Sequence, residues 1–413
     1  MHVNTAESSV MANASLRPVA IPAEGVFVSK LTLTAFRCYE RTVIAPTCER
    51  PIVVLTGPNG AGKTNVLEAL SYLAPGRGMR RAALSEVARQ TTNGAADASW
   101  AVAATLKIGD ELVKIGTGIE AATAGIEGDS NGKRIVRIDG LTAANSNTLG
   151  ERWSVGWITP QMDRLFLEGP SSRRRFLDRM VLGLFPDHSR QVGSYERVMR
   201  ERNRLLADKG AAADPAWLSA LETRMAEHGV AVAMARLEFA GQLAGQLAEA
   251  EEGPFPKAEL AIDGWLEGLL AGGDAAVEVE QAFRDKLRAN RNGEDRKGRA
   301  SVGVHKTDLV VTHAPKAMRA DLCSTGEQKA LLVALVLANA RLQTALNGKA
   351  PLMLMDEVAA HLDVDRRQAL FDALATLGSQ CWLTGTDKSL FEGLVGKAEF
   401  FDVSDGVVTP ADK

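Results

Sequence analysis

Hydrophobic and polar positions divide the chain into three stretches of different character. Near the start, Val26 to Leu33 alternates apolar and polar residues, the period of a strand with one solvated face, and predicts an edge strand. A second strand is predicted around Thr42 to Ala45. Ile52 to Thr56 is continuously apolar and predicts a short buried strand; Val66, Leu67, Leu70 and Leu73 then fall at helical spacing over Thr64 to Leu73. Alternation near Trp100 to Ile108, Leu112 to Ile119 and Arg134 to Ile138 predicts an antiparallel meander. From Pro170 to about Arg291 the spacing becomes helical. Trp217, Leu221, Met225, Val232, Phe239, Leu243 and Leu247 mark one face of a helix of about 30 residues, roughly 45 Å long. The patches Ala211 to Ala213 and Gly272 to Asp274 read as loops. The last stretch predicts a strongly apolar helix over Lys329 to Leu342 and a buried strand at Leu352 to Met355.

Two of these elements carry chemistry. Between the buried strand and its helix lie Gly57, Pro58, Asn59, Gly60, Ala61, Gly62, Lys63 and Thr64, the spacing of a phosphate-binding loop, followed by Asn65. Glycines let backbone amides turn onto phosphates, the helix N-terminus adds partial positive charge, and Lys63 brings a full one. Thr64 offers a hydroxyl to Mg²⁺. The apolar run Leu352 to Met355 ends in Asp356 and Glu357, as where a central parallel strand delivers carboxylates to a sheet edge. Asp356 is expected in the Mg²⁺ shell and Glu357 as the general base for an attacking water.

A third element precedes the apolar helix: Ser324, Thr325, Gly326, Glu327 and Gln328. These residues also read as a plain N-cap, with Ser324 or Thr325 capping and Glu327 in the first turn. Their place before Asp356 is that of the signature motif of ATP-binding-cassette ATPases. Val358 to Asp363 resembles the D-loop of that class, with His361 and Asp363 as its polar residues. The expected fold is α/β: an ABC-type ATPase head, a P-loop NTPase, with a β-rich subdomain and an inserted α-helical lobe. The boundaries expected are an N-terminal extension over 1–25, the ATPase domain over 26–169 and 300–403, the helical lobe over 170–299, and a tail over 404–413.

The 413 residues, 46% hydrophobic and 24% charged, suit two or three domains. A net charge of −3 does not point to a nucleic-acid binder, although a local basic surface is enough for one. Such a surface is suggested in the helical stretch by Arg173, Arg174 and Arg175, and by Arg197, Arg200 and Arg204 at i, i+3, i+7. Arg284 to Arg299 adds seven basic and three acidic residues. Each cluster alone reads as a solvated face; together they predict a phosphate-backbone groove. No aromatic residue is interleaved, so readout by shape and charge is expected. Cys38, Cys48, Cys323 and Cys381 have neither metal-type nor disulfide-framework spacing. Residues 1–25 lack a secretory signal, and the longest apolar run, Ala330 to Ala338, is shorter than the roughly 20 residues of a membrane span.

Four segments carry a family resemblance: LTLTAFRCY at Leu31 to Tyr39, ITPQMDRLFLEGPSSRRRFLDR at Ile158 to Arg179, YERVMRERNRLL at Tyr195 to Leu206, and GVHKTDL at Gly303 to Leu309. They resemble the RecF family of bacterial recombination-mediator ATPases in the SMC superfamily, from Leu31 to about Phe401. Val304, Lys306 and Thr307 depart from the family pattern, and Thr386 stands where transporters carry a switch histidine. The resemblance implies ATP and Mg²⁺ as cofactors, with Gln161 joining Thr64 and Asp356 at the metal and Gln161 and Thr386 joining Glu357 in catalysis. It further implies a slow, DNA-stimulated ATPase that dimerises on ATP, with Ser324 to Gln328 acting in trans. Its expected place is the cytoplasm, at gapped, double-stranded and single-stranded DNA. There it would assist RecA loading and the SOS response with RecO and RecR, and without a membrane. An SMC-like chromosome ATPase would need far longer heptad arms than one such helix. An ABC transporter nucleotide-binding subunit would need a membrane partner.

Overall fold

The computed structural model describes residues 24–90, 97, 99–119, 134–250, 252–294 and 298–411, apart from the side chains of Ala211 and His361. The expected extension over 1–25 therefore lies almost wholly outside the described residues. The central six-stranded sheet has the order β16 (Val407–Pro410), β15 (Ala398–Ser404), β3 (Ile52–Thr56), β14 (Cys381–Gly385), β13 (Leu352–Met355), β8 (Val155–Ile158). All but β16 run parallel. β3, β13 and β14 are buried at every position, which is why they are continuous apolar runs. Residues 407–410, expected as tail, close this sheet as β16.

Side chains alternating across these strands feed two cores. Ile52, Val54, Met353, Met355, Cys381 and Leu383 pack with α7 (Thr325–Asn347) and α8 (Val364–Ala375). Val53, Leu55, Leu352, Leu354 and Trp382 pack with α1 (Lys63–Ser71) and a second sheet. That sheet runs β12 (Lys349–Ala350), β1 (Glu24–Phe36), β4 (Trp100–Ile108), β5 (Glu111–Ile119), β6 (Ile135–Ile138), β7 (Leu141–Thr142), with β2 (Tyr39–Ile44) also on β1. β4, β5 and β6 form the expected meander. β1, however, is no edge strand, because β4 and β2 flank it. Alternation reports that one face is buried and says nothing about whether the edges are paired.

The helical stretch forms α2 (Pro170–Leu182), α3 (His188–Lys209), α4 (Pro215–Ala248), α5 (Trp265–Ala271) and α6 (Ala276–Glu294). It is interrupted by β9 (Ala258–Asp263), which pairs with β10 (Asp308–His313) and, through it, β11 (Met318–Arg319). The segment AELAID is rich in helix formers; pairing with β10 overrides that local preference. α4 has 34 residues, about 50 Å at 1.5 Å per residue. Met225 and Val232 lie in the lobe's own core with Tyr195, Phe283 and Leu287, while Phe239, Leu243 and Leu247 enter the core under α7. α4 thus runs from the core of the helical stretch to the core beneath the central sheet. Trp217 does not share this face and is 48% exposed. Among the described residues α7 alone is long and apolar enough to cross a membrane, yet 67% of that window is buried inside the protein. Apart from half-exposed Leu346, its leucines and valines are core, each burial contributing about 1.5–3 kcal/mol.

Candidate functional site

Parallel strands finish at a common edge, and the chain segments leaving β3, β13, β14 and β8 meet there. After β3, Gly57 has φ 152 and Gly62 φ 114. A Cβ on Gly57 would strike the Val403 carbonyl, and one on Gly62 would sit 2.7 Å from the Tyr39 hydroxyl, so only glycine fits. Tyr39 Oη donates to Gly62 O at 3.0 Å. Lys63 opens α1; its Nζ donates to Gly57 O at 2.7 Å and Pro58 O at 2.8 Å. Burial lowers the pKa of this ammonium, and the charges of Glu357 and Asp356 oppose that shift. Pro58, Asn59 and Gly60 are exposed at the loop tip, whereas Ala61 is buried. Asn65 gives its Nδ2 to Cys38 Sγ at 3.2 Å and accepts from Arg80 at 3.0 Å.

The structure joins this loop to the carboxylate strand. Thr64 Oγ1 donates to Asp356 Oδ1 at 2.9 Å, and Thr384 Oγ1 donates to the same oxygen at 2.8 Å. The Glu357 amide in turn donates to Thr384 Oγ1 at 2.9 Å. Burial raises the pKa of Asp356; the two threonine hydroxyls pull it down, and the Glu357 charge pushes it up. Glu357 adopts φ 51, ψ 23, a left-handed conformation that costs a non-glycine residue about 1–3 kcal/mol and is common at functional sites. Gln161 lies on the exposed turn Pro160–Arg164 just beyond β8. The Asp356 amide donates to Ile158 O at 2.9 Å, which sets this turn beside the carboxylate strand. Thr386 follows β14, exposed. His361 ends the turn Val358–His361, and Asp363 caps α8, accepting from the Arg366 amide at 2.8 Å.

Two groups were not picked out by sequence reasoning. Thr384 bridges both carboxylate residues. Its place depends on the parallel pairing of β14 with β13, which no local pattern announces. Arg37 of LTLTAFRCY reaches the fully buried Glu68 of α1 through Nη2 at 2.6 Å and Nε at 2.9 Å, and Glu68 also holds Arg80 at 3.2 Å. That motif therefore braces the phosphate loop's helix.

Ser324 proves to be a true N-cap. Its Oγ accepts from the Glu327 amide at 3.4 Å, while Glu327 Oε2 accepts from the Ser324 amide at 2.9 Å and from its hydroxyl at 2.8 Å. The Lys316 ammonium pairs with Glu327, and this hydrogen bond, with those from Ser324, draws the carboxyl pKa down to about 2. Ser324, Thr325 and Gly326 remain exposed, whereas Gln328 is buried and donates to Cys323 O at 2.9 Å. The side-chain bonds of Ser324 stay within its own turn.

The arginine clusters separate by use. Arg173 holds Asp308 through two bonds of 2.8 Å, and Arg174 donates to Thr307 O at 2.6 Å. Of that run only Arg175 is exposed, bonded to Ser172 Oγ at 2.8 Å, so the three do not present one basic face as expected. Arg197, Arg200 and Arg204 are all exposed on α3, with Arg200 3.6 Å from Glu196. Beside Gln161, a cavity of about 550 Å³ is lined by Arg77, Arg80, Arg81, Arg175 and Arg179. Arg179 lies over the Trp157 ring at 4.4 Å and Phe176 at 5.6 Å; burial, with Arg81 nearby, lowers its pKa to about 9. Among the described residues no three metal-ligating His, Cys, Asp or Glu side chains cluster. A hydroxyl-plus-carboxylate pair, Thr64 with Asp356, nonetheless suits a hard cation such as Mg²⁺.

Comparison with known proteins agrees with this geometry. A family model described as RecF/RecN/SMC N terminal domain matches residues 27–408. The DNA replication and repair protein RecF of Mesorhizobium japonicum is 47% identical over 388 residues, covering 93% of this chain and 98% of that protein. Its counterpart in Rhizobium rhizogenes is 46% identical over 385 residues, covering 93% and 98%. Among solved structures, the recombination mediator protein RecF with ATP superposes with TM-score 0.79 at 19% identity, covering 94% of this chain and 99% of that one. An SMC head domain from Pyrococcus furiosus gives 0.51 at 16% identity, covering 94% and 96%. These two structural likenesses concern the fold.

Proposed function

Because this chain belongs to the RecF family, within the RecF/RecN/SMC ATPases, we propose that it is an ATP-switched DNA-binding protein of replication and repair. The observation that carries the reading is the meeting of Thr64, Asp356 and Thr384 at the edge where the phosphate loop ends. In this reading ATP lies on Gly57–Thr64, with Lys63 against its terminal phosphates. Thr64, Asp356 and Gln161 hold Mg²⁺, which would neutralise phosphate charge. Glu357, held by strain and by Thr384, orients and deprotonates the water. Thr386 at the switch position, a residue of little basicity, supports slow turnover.

Dimerisation follows from the unused face of the Ser324 turn. Its hydroxyl, exposed although it bonds Glu327 within the same turn, and the amides of Thr325 and Gly326 form a helix N-terminus suited to an anion. A γ-phosphate on a second copy answers that site, so two ATP molecules sit between two chains. On DNA, the proposed target is duplex beside a single-strand gap. RecA loading, the SOS response and the partners RecO and RecR come with the family, as does a cytoplasmic setting. Light scattering of wild-type and Glu357→Gln protein, with and without ATP and gapped DNA, tests this. The expected result is a dimer that forms on ATP, persists in the variant and is stabilised by DNA, with turnover reduced at least about 100-fold. A monomer with ATP demonstrably bound would overturn it.

A further inference from the structure

The exposed arginines of α3 face an aromatic residue that helical spacing assigns to the core. A short turn, Gly210–Ala212, folds α4 back along α3, and Leu206, Ala213 and Leu218 pack that tip together. Trp217, in the first turn of α4, is consequently brought against the last turns of α3. There it lines a surface groove of about 560 Å³ with Arg197, Arg200, Arg204, Lys209 and Leu205. Glu201 and Asp208 also line it, leaving an excess of positive charge. Arg197, Arg204 and Lys209 make no ion pair among the described residues; Arg200 alone has Glu196, at 3.6 Å. The arginine row runs about 10 Å along the helix.

Each half of this arrangement is unfavourable alone. A half-exposed indole keeps apolar surface in water, and a row of guanidinium groups repels itself. A nucleotide strand answers both, because a base offers its face to the indole and its phosphates meet the arginines. The base must be unpaired, since stacking within a duplex hides those faces. We propose that this groove binds an unpaired nucleic-acid strand, Trp217 stacking a base while Arg197, Arg200 and Arg204 take neighbouring phosphates. The assignment rests on the DNA-binding reading above and adds a strand preference and a place to it. It also revises the expectation of readout by shape and charge alone: the aromatic partner comes from the neighbouring helix.

Fluorescence anisotropy of the full chain with labelled oligothymidylate, and with a hairpin duplex of equal phosphate number, tests the proposal. Trp217→Ala should weaken oligothymidylate binding about tenfold and duplex binding less than about twofold. Trp217→Phe should restore most of the loss, which a folding defect would not allow. Arg197→Ala with Arg204→Ala should weaken both ligands and reduce the salt dependence. Equal loss for both ligands with Trp217→Ala, or no loss, would overturn the site. Wild-type protein that binds duplex but no oligothymidylate would overturn it while leaving the DNA-binding reading intact; binding of neither would remove both. A change in the mass of Trp217→Ala with unchanged oligonucleotide affinity would assign the groove to contact between copies instead.

Discussion

The edge of the central sheet where the Gly57–Thr64 loop meets Asp356 and the interior of the helical lobe are both dense with charge, and they treat it in opposite ways. Inside the lobe, the charged side chains that are buried among the described residues are paired. Arg202, fully buried, meets Glu222 at 3.0 Å and Glu294 at 2.6 Å, and Arg236 meets Asp178 at 2.9 Å and Glu267 at 3.3 Å. Burial alone would raise the Asp178 pKa, but Arg236 and His188 hold it at about 2. At the sheet edge, among the described residues, the Lys63 side chain meets only backbone carbonyls, the Asp356 carboxylate meets only hydroxyls, and Glu357 stands on a strained backbone. Charges completed within the fold serve architecture. Charges left incomplete mark where something else is to arrive.

This contrast can be broken most decisively at Lys63. Lys63→Ala should lower affinity for a fluorescent ATP analogue by more than about 100-fold, and unchanged affinity would remove the phosphate-loop assignment. Mixing this variant with Ser324→Arg sharpens the result: each alone should be inactive, while heterodimers contain one intact composite site and regain part of the turnover. Heterodimers that form yet stay inactive would mean that ATP is not shared between copies.

The opposite outcome is expected inside the lobe. Arg202→Leu takes the arginine from buried Glu294 and leaves Glu222 to Arg291 alone, and should cost about 3–5 kcal/mol in urea unfolding, with nucleotide affinity changed less than about twofold. An equal loss of affinity would show that the lobe's pairs serve the site after all. Thr384→Val should keep ATP affinity and lower turnover about tenfold, roughly one hydrogen bond to a charged group; full activity would make that threonine mere filler.

The smallest effect runs against intuition. Burial raises the Asp356 pKa, so the folded chain holds this proton more tightly than the unfolded one. The ionised carboxylate therefore costs stability, and the cost grows as pH rises above the ordinary carboxylate value. Asp356→Asn should unfold at a higher temperature than wild type at neutral pH, with the advantage vanishing in acid, while turnover is lost. A variant less stable than wild type at neutral pH would contradict the incomplete-charge account of this edge.

Much of the site was legible because its chemistry is local: a glycine loop after an apolar run, two adjacent carboxylates after another. Thr384 escaped because its role exists only through parallel pairing, which sets Leu383 opposite Met355 and carries the next residue to Asp356. Arg173 and Arg197 looked alike in the sequence, and only Asp308, far along the chain, separates the structural one from the exposed one. β9 and Trp217 were misread for a related reason. Local propensity and helical spacing describe a segment alone, whereas β10 and the α3–α4 turn decide what each segment meets.

One consequence concerns the order of synthesis. The strand that carries the phosphate loop, β3, has as its two neighbours β14 and β15, and both come from residues 381–404. During translation the loop's residues leave the ribosome long before the strands that hold them in register. Contacts so distant in sequence form slowly. In the proposed reading ATP is therefore accepted only after residues 381–404 have joined the sheet, so products truncated before them do not occupy the switch.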